Sequence, residues 1–112
     1  MNFKVELTDN AKEDLKEIAR YIAEQSLDKR IAANFVNALK EKVKQLELFP
    51  ESGSAPKDRV MQSAEYRFLV HESYLLFYHF EKKEGVSYIV AIINSKRDYA
   101  KILSRLLPKE KD

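Results

Sequence analysis

The residues with the clearest potential for chemistry form a basic cluster directly after an apolar run. The run 86–93 is long enough for a buried strand, and Lys96 and Arg97 follow it closely. Residues between the end of a strand and the start of a helix lie at the edge of a fold. The cluster and its helical continuation, here called the basic segment, consist of Lys96, Arg97, Tyr99, Lys101 and Arg105. Its charge predicts an anionic partner: RNA, DNA or an acidic protein segment.

Other signals of an enzyme are absent from the sequence. There is no glycine-rich phosphate loop, no His-Glu-x-x-His pair, no Gly-x-Ser-x-Gly elbow and no cysteine. The two histidines, His71 and His79, fall at a turn and inside a strand, where packing is the commoner role. The sequence therefore predicts no metal site and no cofactor.

Length and charge limit the remaining possibilities. The 112 residues support a single domain, 1–112, with one core. Because the chain has no cysteine, no apolar stretch of membrane-spanning length and no signal-peptide pattern, we expect a cytoplasmic protein. Residues 1–56 carry 9 basic and 10 acidic side chains, and residues 57–112 carry 11 and 8. The alternative interpretation of this C-terminal excess is a solvated helix face and tail.

The elements that must position the basic segment begin with a short strand and a helix. Phe3, Val5 and Leu7 alternate with charged residues, which is typical of a half-buried strand. Thr8 or Asp9 can then cap the first amides of a helix. The apolar side of that helix is predicted to consist of Ala11, Leu15, Ile18, Ala19 and Ile22.

A second helix is predicted to follow after about four residues. Ser26 is its candidate cap, and we expect this helix to be the longer of the two. Its apolar side is predicted to consist of Ile31, Phe35, Val36, Leu39, Val43 and Leu46. The two helices should form an antiparallel hairpin that ends before Phe49 and Pro50, because proline restricts the residue before it.

The second half of the chain predicts a loop, three strands and a short helix. Residues 50–63 contain the Pro, Gly and Ser residues of a loop within the domain. The strands are predicted at 66–71, 74–81 and 86–93, with turns at 71–73 and 82–85. A helix over 98–107 should present an apolar side with Ile102, Leu103 and Leu106 and a basic side with Lys101, Arg105 and Lys109.

The order β-α-α-β-β-β-α predicts an α+β fold, with the helical hairpin packed on a mainly antiparallel four-stranded sheet. The strand 74–81 is apolar on both sides. One side consists of Tyr74, Leu76, Tyr78 and Phe80, and the other of Leu75, Phe77 and His79. Both faces of the sheet must therefore be covered. The helical hairpin covers one face, and the C-terminal helix or a partner must cover the other.

Several of these segments, in this order, resemble the RelE/ParE superfamily of toxins from bacterial type II toxin–antitoxin systems. They are the opening strand, the helical hairpin ending at 46–50, the Tyr66-Arg67 pair, the strand from Tyr74 to Tyr78 and the helix start 96–99. The resemblance covers nearly the whole chain. It implies the fold described above and a growth-inhibiting toxin of the kind also called plasmid stabilisation proteins. It also implies a cognate antitoxin as partner.

Two activities occur among the proteins that the chain resembles. RelE-like members are ribosome-dependent mRNA endonucleases that use several cations on the sheet, without metal. Arg67 and Arg97 match two of those positions and would be catalytic in a nuclease. The positions that depart from the family pattern are Leu69, Leu75, Asn94 and Leu103. Leu69 and Leu75 replace expected cations. The pattern therefore favours the ParE-like branch, whose members poison DNA gyrase.

The resemblance also implies two contact surfaces. The basic segment is expected to bind the target, either gyrase or the ribosome with its mRNA. Arg67, Tyr74 and Tyr78 are expected to bind the antitoxin, whose acidic residues would also meet Arg97. A homodimer and a hetero-oligomer with the antitoxin both remain open.

The residues also permit plainer interpretations. Arg67 could pair with Glu65 or Glu81 across the sheet. Asp98 could stabilise the positive end of the helix that follows it. A third hypothesis for the whole chain is a protein-binding module of the same fold without toxicity.

Overall fold

The computed structural model describes residues 2–106, which form four strands and five helices. In chain order these elements are β1 (Lys4–Leu7), α1 (Asp9–Ser26), α2 (Lys29–Val43), α3 (Gln45–Leu48), α4 (Arg59–Ser63), β2 (Tyr66–His71), β3 (Tyr74–Glu81), β4 (Val86–Asn94) and α5 (Tyr99–Ser104). The predicted α+β class is confirmed, and β2 and β3 have the predicted bounds. None of the helices among these residues combines the length and apolar character needed to cross a bilayer.

The four strands form one mixed sheet in the order β1-β4-β3-β2. The pairs β4–β3 and β3–β2 are antiparallel, whereas β1 runs parallel to β4. Apolar residues of α1, α2 and α3 pack on one face, against Leu76 and Tyr78 among others. The other face, which includes Leu75 and Phe77, is covered by Met61 of α4 and Leu103 of α5. The prediction that both faces of β3 are buried is therefore confirmed.

A β-bulge in β4 changes the side-chain alternation near the end of that strand. Phe77 pairs with Ala91 and Tyr78 with Ile89, so Val90 is an additional residue in β4. As a result Ile89 and Ile92, which are three residues apart, both belong to the core beneath the helices.

The beginning of α1 covers the edge of β4 where β1 has ended. β1 pairs with β4 only as far as Ile89. Beyond that point the Thr8 hydroxyl donates to the Ile89 carbonyl at 3.1 Å, and the Asn10 amide donates to the Val90 carbonyl at 2.9 Å. Asp14 Oδ2 accepts from the Ile92 N–H at 2.9 Å. Side chains of α1 thus satisfy backbone groups that a neighbouring strand would otherwise pair.

The structure corrects three predictions about the helical hairpin. Ser26 is the last residue of α1, and Asp28 caps α2 by accepting from the Arg30 N–H at 2.9 Å. α2 has 15 residues and α1 has 18, so the second helix is the shorter one. Ile31 is 48% exposed and does not belong to the buried side of α2, which consists of Ala32, Phe35, Leu39 and Val43.

Three further predictions differ at other places in the chain. The predicted loop 50–63 contains α4, which Asp58 caps through the Met61 N–H. β4 continues one residue further than predicted, to Asn94. α5 covers Tyr99–Ser104 and is followed by a turn at residues 105 and 106, so it is shorter than the predicted helix over 98–107. Lys109 lies outside the described residues.

Candidate functional site

A groove between α1 and the end of the sheet is the candidate functional site. It has a volume of about 560 Å³ and is here called the α1–β4 groove. Its lining residues are Asp14, Glu17, Ile18, Tyr21, Tyr74, Ile92, Asn94, Lys96 and Arg97. The groove therefore combines two members of the basic segment with Tyr74, which was predicted to bind the antitoxin.

One wall of the groove is a stripe along α1. Asp14, Glu17, Ile18 and Tyr21 are spaced by three, four and seven residues, so they share one side of the helix. Tyr21 is 57% exposed although it is a large aromatic residue. The opposite wall is formed by the residues that leave β4, including Lys96 and Arg97. The floor contains Ile92 and Tyr74, which lie on adjacent strands.

The Asp14 carboxylate links α1 to the end of β4 through its hydrogen bond with the Ile92 N–H. Partial burial raises the pKa of its carboxyl group above 3.8. The hydrogen bond from the Ile92 N–H and the positive charge of Arg97 oppose that shift, while Glu17 adds to it. The carboxylate therefore holds the end of β4 in place and contributes negative charge beside Arg97.

The charges on the two walls have opposite signs. Asp14 and Glu17 lie on the α1 wall, and Lys96 and Arg97 on the other. Among residues 2–106 none of the four forms an ion pair within 4.0 Å. Glu17, Lys96 and Arg97 are exposed, so a partner can reach them.

The basic segment does not form one continuous surface. The Tyr99 ring packs on Phe77 with a centroid distance of 5.4 Å, on the sheet face opposite α1. Asp98 caps α5 by accepting from the Lys101 N–H at 3.2 Å, as the plainer interpretation of this residue proposed. Lys101 and Arg105 are exposed. The segment thus turns around the end of the sheet, with its first two cations in the groove.

The apolar side of α5 packs only in part as predicted. Leu103 is buried against the sheet, and Ile102 packs against the same cluster. Leu106 is 39% exposed, because it follows the last turn of α5 and lies beyond the cover of the sheet.

Arg67 has a different environment from Arg97. Its guanidinium donates to the Gly53 carbonyl at 3.0 Å and lies 3.9 Å from a Glu51 carboxylate oxygen. The ion-pair partner is therefore Glu51, and the proposed cross-strand partners Glu65 and Glu81 are not used. The reason is that the chain segment before α4 returns to β2, where Ser54 and Phe68 exchange backbone hydrogen bonds of 2.9 and 3.0 Å.

Tyr78 completes this anchored loop from inside the core. Its side chain is fully buried, and its hydroxyl accepts from the Gly53 N–H at 2.9 Å. Burial raises the pKa of this hydroxyl. Because Tyr78 has no accessible surface, it cannot contact an antitoxin in this conformation, and that prediction is corrected. We call the unit of Glu51, Gly53, Arg67 and Tyr78 the loop anchor.

The two arginines do not share a site. Arg67 lines a separate depression with Tyr66 and Lys82, and that depression has no lining residue in common with the α1–β4 groove. Arg67 is opposite Tyr78, whereas Asn94, just before the basic segment, is opposite Tyr74. Tyr74 and Tyr78 are four residues apart on β3, which corresponds to about 13 Å along the strand.

Sequence reasoning missed the acidic wall of the groove. The sequence analysis assigned no role to Asp14 and Glu17. One signal could have indicated the site: Tyr21 lies outside the predicted apolar side of α1 and is nevertheless a large aromatic residue. Aromatic residues are enriched at protein–protein contact surfaces relative to the rest of the protein surface.

Comparison with protein families gives one match to the chain. Residues 5–99 match the family described as the ParE toxin of type II toxin–antitoxin systems, parDE. The match includes the hairpin, the groove residues and all of the sheet except Lys4 at the start of β1. No curated protein matches the chain.

Three solved structures are similar to the fold. A chain of the chromosomal ParDE system from P. aeruginosa is 19% identical, with a TM-score of 0.67 over 82% of this chain and 95% of that one. A chain of the RelBE2 toxin–antitoxin complex from Mycobacterium tuberculosis is 21% identical, with a TM-score of 0.58 over 84% and 92%. The isolated E. coli RelE toxin is 14% identical, with a TM-score of 0.55 over 94% and 99%.

Proposed function

The chain belongs to the ParE toxin family of type II toxin–antitoxin systems, and we propose that it blocks growth by inhibiting DNA gyrase. The observation that carries this proposal is the separation of Arg67 from Arg97. A metal-independent nuclease needs several cations around one phosphate, because negative charge builds up on the phosphate oxygens in the transition state. In this chain the two candidate cations line different depressions.

The leucines at the departing positions support the same conclusion. Leu69, Leu75 and Leu103 are buried, at 4%, 8% and 1% exposure. They fill the cores on the two sheet faces and present no group to a substrate. The candidate catalytic cation of β2, Arg67, donates to the Gly53 carbonyl and pairs with Glu51.

The acidic wall of the groove favours a protein target over RNA. A nucleic-acid backbone next to Lys96 and Arg97 would also approach Asp14 and Glu17, whose charges repel phosphate. A protein surface can supply groups of both signs. The exposed residues Lys96, Arg97, Lys101 and Arg105 are the proposed target contacts.

The proposed partner in the cell is a cognate antitoxin protein. Two of the structurally similar chains come from toxin–antitoxin systems, ParDE and RelBE2. In this chain Tyr74 is half-buried in the groove, so an antitoxin that covers the groove would also cover two of the four target contacts, Lys96 and Arg97. We expect the toxin alone to stop growth and co-expression of the adjoining reading frame to restore it. Normal growth with abundant, folded toxin alone would contradict the proposal.

The experiment that tests the target compares two activities of the purified toxin. We expect inhibition of gyrase supercoiling and no codon-specific cuts when primer extension is performed on translating ribosomes. The Arg97→Ala variant should lose the gyrase effect because it removes the groove's central cation. Cuts on the mRNA that disappear in Arg97→Ala would instead identify the chain as an mRNA endonuclease.

A double charge reversal isolates the contribution of α5 to target binding. Lys101→Glu with Arg105→Glu leaves the buried contact of Leu103 intact, and we expect at least a tenfold loss of gyrase inhibition. Lys57→Glu with Lys83→Glu is the matched control, since both lysines are exposed and neither belongs to the basic segment or lines the α1–β4 groove. If the first variant folds normally and inhibits as strongly as the control, the basic side of α5 is only a solvated surface.

A further inference from the structure

The polarity of the α1–β4 groove restricts what can occupy it. Its two walls carry opposite charges that have no ion-pair partners within residues 2–106. An occupant that is acidic along its whole length would pair with Lys96 and Arg97 but would be repelled by Glu17. A complementary occupant must therefore present an acidic group to one wall and a basic group to the other.

The surface between the charged walls requires an apolar group. Ile18, Ile92 and Tyr74 lie there, and Tyr21 extends the apolar surface along α1. Covering these side chains removes apolar surface from water, which contributes about 25 cal/mol per Å². The complementary pattern is thus basic, apolar and acidic across the width of the groove.

The backbone of the groove favours a helix over a strand as the occupant. Beyond Ile89 the edge of β4 could accept an added strand, but the Ile92 N–H and the Val90 carbonyl are already bonded to Asp14 and Asn10. The exposed stripe on α1 offers a ridge with spacings of three and four residues, which can pack against the ridges of another helix. A stripe from residue 14 to residue 21 is about 10 Å long, or two helical turns.

We infer that the groove accepts a helical segment of the cognate antitoxin that carries a basic residue for Glu17, an acidic residue for Arg97 and an apolar residue between them. This inference rests on the proposed function, because it takes the antitoxin as the partner. It adds that recognition depends on an acidic residue of the toxin, and that the antitoxin covers Lys96 and Arg97 while it is bound.

The test uses two lysine substitutions that differ only in their position on α1. Glu17 lines the groove, whereas Glu13 is also exposed on the same helix but does not line it. The probe is the purified product of the adjoining reading frame, and its affinity for each toxin variant is measured by calorimetry. We expect Glu17→Lys to weaken binding at least tenfold and Glu13→Lys to change it less than twofold. Thermal melts check that both variants are folded.

A reciprocal change assigns the effect to a charge pair. Replacing the antitoxin's matching basic residue by glutamate should restore most of the affinity for Glu17→Lys and weaken binding to the unchanged toxin. Equal affinities of the Glu17→Lys and Glu13→Lys variants would overturn the inference. Stronger binding by Glu17→Lys would also overturn it, because it would indicate a wholly acidic occupant.

Two further measurements separate this inference from the proposed function. If RNA were the occupant, a poly(U) oligonucleotide would bind Glu17→Lys more tightly than the unchanged toxin, and the inference would fail. If the charge-pair results appear as expected but the unchanged toxin neither stops growth nor inhibits gyrase, the proposed function fails and the groove assignment remains.

Discussion

The loop anchor and the α1–β4 groove show how two arginines with similar sequence contexts acquire different roles. Arg67 lies within β2 and Arg97 closely follows β4. Both resemble basic positions of the toxin superfamily. Arg67 is held by a carbonyl and a carboxylate from a returning loop, while Arg97 is exposed and has no ion-pair partner among residues 2–106. The difference arises from the neighbours that the loop and α1 bring to each arginine. A cation therefore needs its partners identified before a function is assigned to it.

The largest expected effect concerns the close packing inside the loop anchor. A Cβ at Gly53 would lie 2.6 Å from the Tyr78 ring and hydroxyl and 2.9 Å from the Phe68 carbonyl. We expect Gly53→Ala to destabilise the protein by about 3 kcal/mol, since the loop must move and lose its hydrogen bonds. Urea denaturation measures this change.

The control for that substitution is the other glycine. At Gly85 the nearest atom to a new Cβ is 3.6 Å away, and the strain comes only from the positive φ of 69°. Gly85→Ala should cost about 1 kcal/mol. If the two substitutions cost the same, the loop anchor is not as tightly packed as its geometry indicates.

A second comparison removes one hydroxyl at the start of β3 and one in its middle. Tyr78→Phe leaves the buried Gly53 N–H without its acceptor, and we expect a loss of about 1.5 kcal/mol. Tyr74→Phe removes a hydroxyl that makes no hydrogen bond within residues 2–106, so stability should change by less than about 0.5 kcal/mol. Thermal or urea unfolding of both variants provides the measurement. Equal losses would show that the loop anchor does not depend on Tyr78.

Substituting the arginines themselves tests the comparison directly. Arg67→Met removes the hydrogen bond to Gly53 and should cost about 1 kcal/mol, discounted for the partial exposure of the guanidinium. Arg97→Met should leave stability within about 0.5 kcal/mol but should abolish growth inhibition. Unfolding curves and growth after induction are measured on the same pair of variants. If Arg67→Met is as stable as the unchanged protein but does not inhibit growth, Arg67 belongs to the functional surface.

The smallest expected effect depends on pH and concerns the groove. Because burial raises the pKa of Asp14 in the folded protein above 3.8, the folded state binds a proton more readily than the unfolded state. The contribution of this group to stability therefore falls as the pH rises from 3.8 through the raised pKa. Asp14→Asn keeps an acceptor for the Ile92 N–H and removes the charge.

This pH effect is measured as the difference in Tm between Asp14→Asn and the unchanged protein. The difference should be near zero well below pH 3.8, where the carboxyl is protonated in both states, and should favour the asparagine variant slightly at pH 7. Asp14→Ala, which also removes the acceptor, should be less stable than Asp14→Asn at every pH. A difference that does not vary with pH would contradict the shifted pKa.

The sheet was largely predictable from the sequence because its strands have clear local signals. Gly85, which has a φ of 69°, marks the turn before β4, and polar residues separate the apolar runs of β2 and β3. β2 and β3 could therefore be bounded correctly. The positive φ of Glu72, 52°, was not predictable, because residues other than glycine rarely adopt it. The bulge at Val90 could not be predicted, since it lies within an uninterrupted apolar run where either face is acceptable. α4 was missed because five residues are too few for a periodic pattern.

The candidate site was only half predictable, for a different reason. Lys96 and Arg97 were identified because they follow a strand within a few residues. Their acidic counterparts are about 80 positions earlier in the chain, and Glu51 is 16 positions before Arg67. Contacts of that kind depend on how helices and loops pack on the sheet. Local periodicity carries no information about such packing.

The parallel pairing of β1 with β4 also determines when the toxin can become active during its own synthesis. β1 is synthesised first, but its partner residues in β4 begin at Val86. Lys4 can therefore pair with β4 only after 82 further residues have been synthesised. At common rates of synthesis this takes roughly 4–16 s. The basic segment is made later still, and the groove needs both α1 and the end of β4. The groove therefore cannot form until the chain has been synthesised as far as Arg97. An antitoxin that is already present can meet the toxin as it folds.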